Sequence, residues 1–379
     1  MASLKRQGGA ARAPRSLWVR GSRLAWLVKP PMVADRSTGR DNNFNLIRIF
    51  AASGVLISHA YPISLGRGAA EPLQGLLHGV TLGTLCVYAF FTISGFFITR
   101  SFTQRRDALI FLRARALRLF PALAVVLAVT VIVASSFRTG VAPAAYWAAV
   151  PEYYLRNITL FFLKYDLPGV FAENPYGPAI NGSLWSLSYE VLCYLGVLGA
   201  GLLGLIDRPR FFLVCILVFS ALAVGAQIFD LPFRLERLAE LGLPFLIGMG
   251  FWVWRAWVPL SVPLAVALFV LAFATLPGPA PLFTTALTLA LSYAVFVLGY
   301  AKIPAIAGYR RFGDYSYGMY VYAFPIQQSL AHGGITEPWL NMIIAFAATL
   351  ICAIASWHLV EEPAMSWLSR GAPQKGEGR

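Results

Sequence analysis

The stretch Asn42-Asn43-Phe44-Asn45-Leu46-Ile47-Arg48, running on to Ser58-His59-Ala60-Tyr61-Pro62, decides how the rest of the chain is read. It has the composition of a membrane helix with a cation near its start and a histidine near its end. Arg48 and His59 are eleven positions apart. At about 100° per residue that is within about 20° of three whole turns, so both side chains leave one helical face about 16 Å apart. Asn45 extends the same stripe by one turn. A face with these residues avoids lipid and faces a polar seam inside a bundle.

The surrounding composition agrees. The 379 residues are 58% hydrophobic and 13% charged, with a mean hydropathy of +0.65. Soluble chains of this length divide into two or three domains, but these apolar runs are too long and frequent for core helices, so one membrane-embedded domain is expected. The net charge of +14 does not argue for nucleic acid, because the basic residues occupy short gaps between apolar segments, where lipid orientation explains them. Cys86, Cys193, Cys215 and Cys352 all fall inside apolar segments without metal-ligand spacing and read as packing residues, so no metal is expected.

Residues 1–40 are basic and rich in Gly, Ala and Pro, and read as a disordered cytoplasmic tail. Met32 is an alternative start of the natural chain. Residues 41–367 form the transmembrane domain, and residues 368–379 a second cytoplasmic tail. Ten apolar segments approach spanning length: Phe44 to Ile63, Val80 to Thr99, Leu117 to Phe137, Ser183 to Ile206, Phe211 to Phe229, Leu238 to Trp254, Pro259 to Leu276, Leu282 to Tyr300, Ser316 to Leu330 and Trp339 to Leu359. Alternate hydrophilic segments, counted from the N-terminus, hold 24 of the 31 lysines and arginines, the intervening segments hold 6, and Arg48 is the last. The basic side is expected to be cytoplasmic. The fold class is therefore all-α, a polytopic helical bundle of about ten spans with both termini inside.

That topology puts the longest connection, Arg138 to Gly182, outside. Its aromatics, among them Tyr146, Trp147, Tyr153 and Tyr154, suit either an interfacial segment at headgroup level or a lid over an external substrate.

Glu190 is the other ionisable residue at membrane depth, in the outer half of the fourth span and level with His59. A carboxylate there needs a partner, and His59 or a tyrosine hydroxyl is expected. Paired with His59, it would orient the ring and stabilise the imidazolium during proton abstraction; otherwise it is an interhelical hydrogen bond. Ser94-Gly95 is a small-residue notch of the kind found at close helix crossings. Arg115 and Arg118 are expected at the mouth of the third span, where they suit acidic lipid or a phosphorylated ligand.

Several motifs occur together: Asn43-Phe44-x-x-x-Arg48 followed by His59; Phe90-Phe91-x-Ile93-Ser94-Gly95-Phe96-Phe97-Ile98; Arg115-x-x-Arg118; Ser183-Leu184-Trp185 with Glu190; and the closing Trp357-His358-Leu359-Val360-Glu361-Glu362-Pro363. In this order and spacing they resemble the membrane acyltransferase family 3, which includes O-antigen and exopolysaccharide O-acetylases and nodulation-factor acetylases. The resemblance runs from Asp41 to about Trp367. It implies an acyl-CoA-dependent O-acyltransferase with ten spans in the bacterial inner membrane. The family's first-helix arginine and histidine fall on Arg48 and His59, and its arginine pair on Arg115 and Arg118. Some members carry a further C-terminal hydrolase-like domain; here the membrane domain is expected to complete the transfer itself.

The two lines join in one expectation. Acetyl-CoA binds from the cytoplasm at Arg115, Arg118, Arg48 and Ser94, and its pantetheine arm extends along the polar seam. His59, with Arg48 and Glu190, carries the catalysis, either as general base towards an acceptor hydroxyl or as a transiently acylated nucleophile. The acceptor is a carbohydrate or lipid-linked glycan of the cell surface. The competing class is a transporter of a small organic anion or lipid-linked sugar, with Arg48 and Glu190 as substrate or coupling residues.

Overall fold

The computed structural model describes residues 30–39, 41–229, 231–303, 309 and 313–370. Residues 1–29 and 371–379, which hold most of the two expected tails, lie outside the described residues. The chain runs through α1 (Val33–Ser37), α2 (Phe44–Leu65), α3 (Leu82–Arg105), α4 (Ala108–Ala134), α5 (Pro143–Thr159), α6 (Trp185–Leu202) and α7 (Pro209–Ile228). It continues through α8 (Phe233–Val253), α9 (Val262–Ala274), α10 (Ala280–Gly299), α11 (Ser316–His332), α12 (Pro338–Ser356) and α13 (Glu362–Arg370).

A helix lies at each of the ten expected segments. Among the described residues seven spans, including α2, α3, α4, α7 and α10, are long and apolar enough to cross a membrane. Among the other three, α8 carries Arg234, Glu236, Arg237 and Glu240, and α9 and α11 have only 13 and 17 residues. The most hydrophobic window of α7 is 11% buried, with Leu213, Val214, Leu217 and Val218 all exposed. Ile343 and Ile351 of α12 are likewise bare. Apolar surface of this extent belongs in lipid, and the protein is a helical membrane bundle.

Helix α3 is the centre of that bundle. Gly95 faces α8 so closely that a Cβ there would lie 2.0 Å from the Phe245 carbonyl oxygen, and one on Gly248 would lie 2.0 Å from that of Thr92. Two facing glycines let the backbones touch, which is the crossing that the Ser94-Gly95 notch predicts. The start of α2 is tied to the end of α10: the Asn43 side-chain amide donates to the carbonyls of Leu298 (3.0 Å) and Ala301 (2.7 Å). Phe44 packs edge-on against Phe97, Phe296 and Tyr300.

Two boundaries differ from expectation. The stretch expected to lack structure as far as residue 40 is structured from residue 30. Val33 is fully buried, its N–H donates to the Val258 carbonyl, and the Leu260 N–H donates to that of Pro31. The apolar residues around Met32 and Val33 are too few for a hydropathy signal but enough for this small contact. The third span begins at Ala108, where the Asp107 side chain caps the Ile110 N–H at 2.8 Å. Arg115 and Arg118 therefore lie seven and ten residues inside α4, not at its mouth; their charges had lowered the local hydropathy and hidden two turns of helix.

The long connection is packed. On α5, Tyr146 and Tyr153 are buried, and the Tyr146 hydroxyl donates to the Val131 carbonyl at 2.6 Å, while Trp147 stays exposed. The loop beyond is pinned to α11, with Asn174 donating to Gln328 and Asn181 to the Val321 carbonyl.

Candidate active site

At the basic end, where α2 begins and α3 ends, a cavity of about 540 Å³ opens between α2, α3, α4 and α6. Helical spacing builds its walls. Asn45 and Arg48 come from one face of α2, Arg115 and Arg118 from one face of α4, and Glu190 and Tyr194, four apart, from α6. Ser94 and Arg100 complete the lining from α3. Glu190 accepts hydrogen bonds from the Ser94 hydroxyl (3.0 Å) and the Tyr194 hydroxyl (2.7 Å).

The arginines divide into two kinds. Arg48 donates to Asp314 at 2.6 Å, and Arg118 bridges Asp314 at 2.7 Å and Glu361 at 2.6 Å. Asp314 also accepts from the Ser316 hydroxyl, and Glu361 from Ser356 at 3.0 Å. These are partnered, largely buried charges, as a low-dielectric interior requires. Arg115 differs: its guanidinium carbon lies 6.0 Å from the centre of the Tyr194 ring, and its buried Nε has no hydrogen-bond partner among the described residues. Arg100 rests over Trp252 at 5.9 Å.

Sequence reading missed Asp314 and Glu361 as partners. Glu361 stood inside the closing motif, and a π-helical turn over Trp357–Glu361 rotates it inward to 1% exposure. Asp314, with Ser316 two residues on, precedes the apolar run of α11, and an acidic residue before a helix is the signal that could have found it.

His59 lies elsewhere. It lines a cavity of about 330 Å³ towards the opposite end, with Ser58, Arg67, Glu71, Tyr176, Trp185 and Tyr320 among its neighbours. Its ring stands edge-on to Phe324, with centroids 5.4 Å apart, and its buried Nδ1 has no hydrogen-bond partner among the described residues. The expected pairing of Glu190 with His59 does not form. The two residues line different cavities, and Glu190 turns instead to Ser94. The tyrosine-hydroxyl alternative is the one realised, through Tyr194.

A narrow third cavity of about 40 Å³ lies between them. It shares Arg48 and Glu190 with the basic cavity, and Val87 and Tyr320 with the His59 cavity. The Tyr320 hydroxyl bonds to Ser186 in its wall. Six residues singled out from sequence are thus distributed along one line: Arg48, Ser94, Arg115, Arg118 and Glu190 at one end, His59 at the other. No cluster of three or more His, Cys, Asp or Glu suited to a metal occurs among the described residues.

Comparison with known proteins bears on what this line of cavities serves. Residues 41–358 match a family model described as an acyltransferase domain. The O-acetyl transferase of Shigella phage Sf6 is 28% identical over 345 residues, covering 88% of this chain and 98% of that protein. Nodulation protein 10 of Rhizobium leguminosarum bv. viciae is 28% identical over 364 residues, covering 87% of this chain and 95% of the relative. No solved structure matches the chain significantly. With most of its length matched by that domain, the chain belongs to the membrane acyltransferase family 3 and is an acyltransferase.

Proposed function

We propose that this enzyme moves an acetyl group from acetyl-CoA, bound in the basic cavity, to a hydroxyl of a cell-surface or exported carbohydrate bound in the His59 cavity. The observation that carries this reading is the pairwise sharing of residues along the three cavities. The excess of lysine and arginine at the basic end supports a cytoplasmic orientation for it, in a bacterial inner membrane. The names of the two relatives support O-acetyl transfer and a glycan-like acceptor.

In this reading Arg115 and Arg100 meet the donor's phosphates, since Arg48 and Arg118 are already committed to Asp314 and Glu361. Arg48 and Glu190 line the route of the pantetheine arm. The middle cavity is narrower than such an arm, so its passage requires the Tyr320–Ser186 contact to open. At His59 the acceptor oxygen attacks the thioester carbonyl and the carbon–sulfur bond breaks. The hydroxyl proton passes to the free ring nitrogen and then to the leaving thiolate, giving the ester and free CoA. A transient acyl-histidine would use the same geometry.

Membranes containing the protein, supplied with labelled acetyl-CoA and glycans from the producing cell, test this directly. Label should enter the glycan with wild type and not with His59→Ala, at equal amounts of folded protein. Wild-type labelling by His59→Ala overturns the role of His59. Solute uptake without any label transfer would instead favour the transporter reading.

A further inference from the structure

We propose that the His59 cavity is one half of a longer cleft whose second half binds a further, uncharged sugar unit, so that the enzyme reads an oligosaccharide segment and not a single sugar. The inference rests on the reading of the His59 cavity as the acceptor side.

A separate cavity of about 250 Å³ adjoins the first, and Thr84, Tyr88, Arg237 and Glu240 belong to both. It is enclosed by α3, α7, α8 and α10. Helices α3, α8 and α10 all start at this end of the bundle, and the lining residues fall within their first two to three turns. The cleft is therefore reached from the outer face, and its deepest lining residue, Leu243, is about 15 Å along α8 from Phe233. Thr284, Thr285 and Thr288 of α10 line its far wall; the hydroxyls of Thr284 and Thr288 donate to the carbonyls of Pro281 and Thr284, so towards a ligand Thr288 offers an accepting oxygen. Threonines are ordinary where membrane helices meet, but two carboxylates and a guanidinium, Glu236, Glu240 and Arg237, around empty space mark a place for a polar ligand.

The boundary between the halves is a fixed cluster. The Tyr88 hydroxyl donates to Oε1 of Glu240 at 3.0 Å, and Arg237 pairs with the other oxygen. The Arg237 guanidinium lies over Trp185, 5.7 Å from the ring centre, which steadies that indole in the His59 half. Carboxylate, guanidinium and hydroxyls offer both donors and acceptors to sugar hydroxyls, and an indole offers a face to apolar sugar carbons. Glu236 and Glu240 outnumber Arg237 around the second half, which disfavours a phosphorylated or carboxylated unit there.

The test uses membranes with the full chain, labelled acetyl-CoA, and neutral fragments of one, two and four sugar units cut from the surface polysaccharide of the producing cell. The readout is the ratio of kcat/KM for the four-unit fragment to that for the single unit. In wild type the longer fragment is expected to win by about fivefold or more, the effect of one or two additional hydrogen bonds. Thr285→Trp, which fills the second half, should bring the ratio close to unity. Thr288→Val, nearly isosteric, should lower it by a smaller factor and guards against misfolding of the bulkier variant. An unchanged ratio in both variants, or a preference for acidic fragments, overturns the inference. Transfer by His59→Ala, or none by wild type to any fragment, overturns the acceptor reading beneath it. A silent His59→Ala with a length-independent wild type removes the cleft alone.

Discussion

Arg48 and Arg118, on two different helices, donate to the same oxygen, Oδ2 of Asp314, at 2.6 and 2.7 Å. This shared carboxylate ties the start of α2 to the middle of α4 through the loop that precedes α11. It also divides the arginines of the basic cavity into structural and available ones, and several expectations follow from that division.

Asp314→Ala leaves two guanidiniums facing each other without their common partner. Removing one member of a largely buried ionic network costs about 3–5 kcal/mol. The detergent-solubilised variant should unfold at a clearly lower temperature and show reduced yield; an unchanged Tm would show that water replaces the carboxylate at no cost.

Arg115 and Arg118, one helical turn apart, should respond differently to alanine. Arg115→Ala removes a cation that forms no salt bridge among the described residues and should raise the KM for acetyl-CoA by about tenfold to a hundredfold, the worth of one charge-assisted hydrogen bond, with little effect on Tm. Arg118→Ala strands Asp314 and Glu361 and should lower Tm first. Arg118→Lys should not restore it, because an ammonium does not span two carboxylates as the planar fork does. Parallel measurement of KM and Tm separates the two.

Ser186 borders the narrow middle cavity beside Tyr320. Ser186→Phe fills that space at a packing cost of about 1–3 kcal/mol. Acetyl-CoA binding, read by calorimetry on solubilised protein, should survive, while transfer to glycan falls by at least an order of magnitude. Retained transfer would mean that the acyl group does not pass between the two cavities here.

Gly95→Ala places a methyl where the Phe245 carbonyl oxygen lies 2.0 Å away, a backbone atom with no rotamer to adopt. Helices α3 and α8 must separate, and folded yield should drop sharply. Gly199→Ala, whose Cβ meets nothing within 4 Å, is the control and should behave as wild type.

A chain beginning at Met32 keeps the bonds from Val33 and Ala34 to the carbonyls of Val258 and Arg255 and loses the one to Pro31. It is expected to retain activity in the labelling assay. Deletion through Ser37 removes the buried Val33 as well and should reduce it.

The sequence by itself determined the helical membrane bundle and where its apolar helices lie, because the free energy of placing a helix in lipid is a sum over neighbouring residues and is read from local hydropathy. It also determined that Arg48 and His59 share a face of α2, since helical period is a local property, and that Arg115 and Arg118 share one on α4. Tertiary structure alone decided who meets whom. Glu190 turns to Ser94 and Tyr194 and away from His59, and Arg118 finds Asp314 and Glu361, 196 and 243 positions away. Those pairings depend on how each helix is rotated against its neighbours. That rotation is set by distant contacts such as the Gly95–Gly248 crossing and the π turn at Trp357–Glu361, which no local pattern of residues encodes.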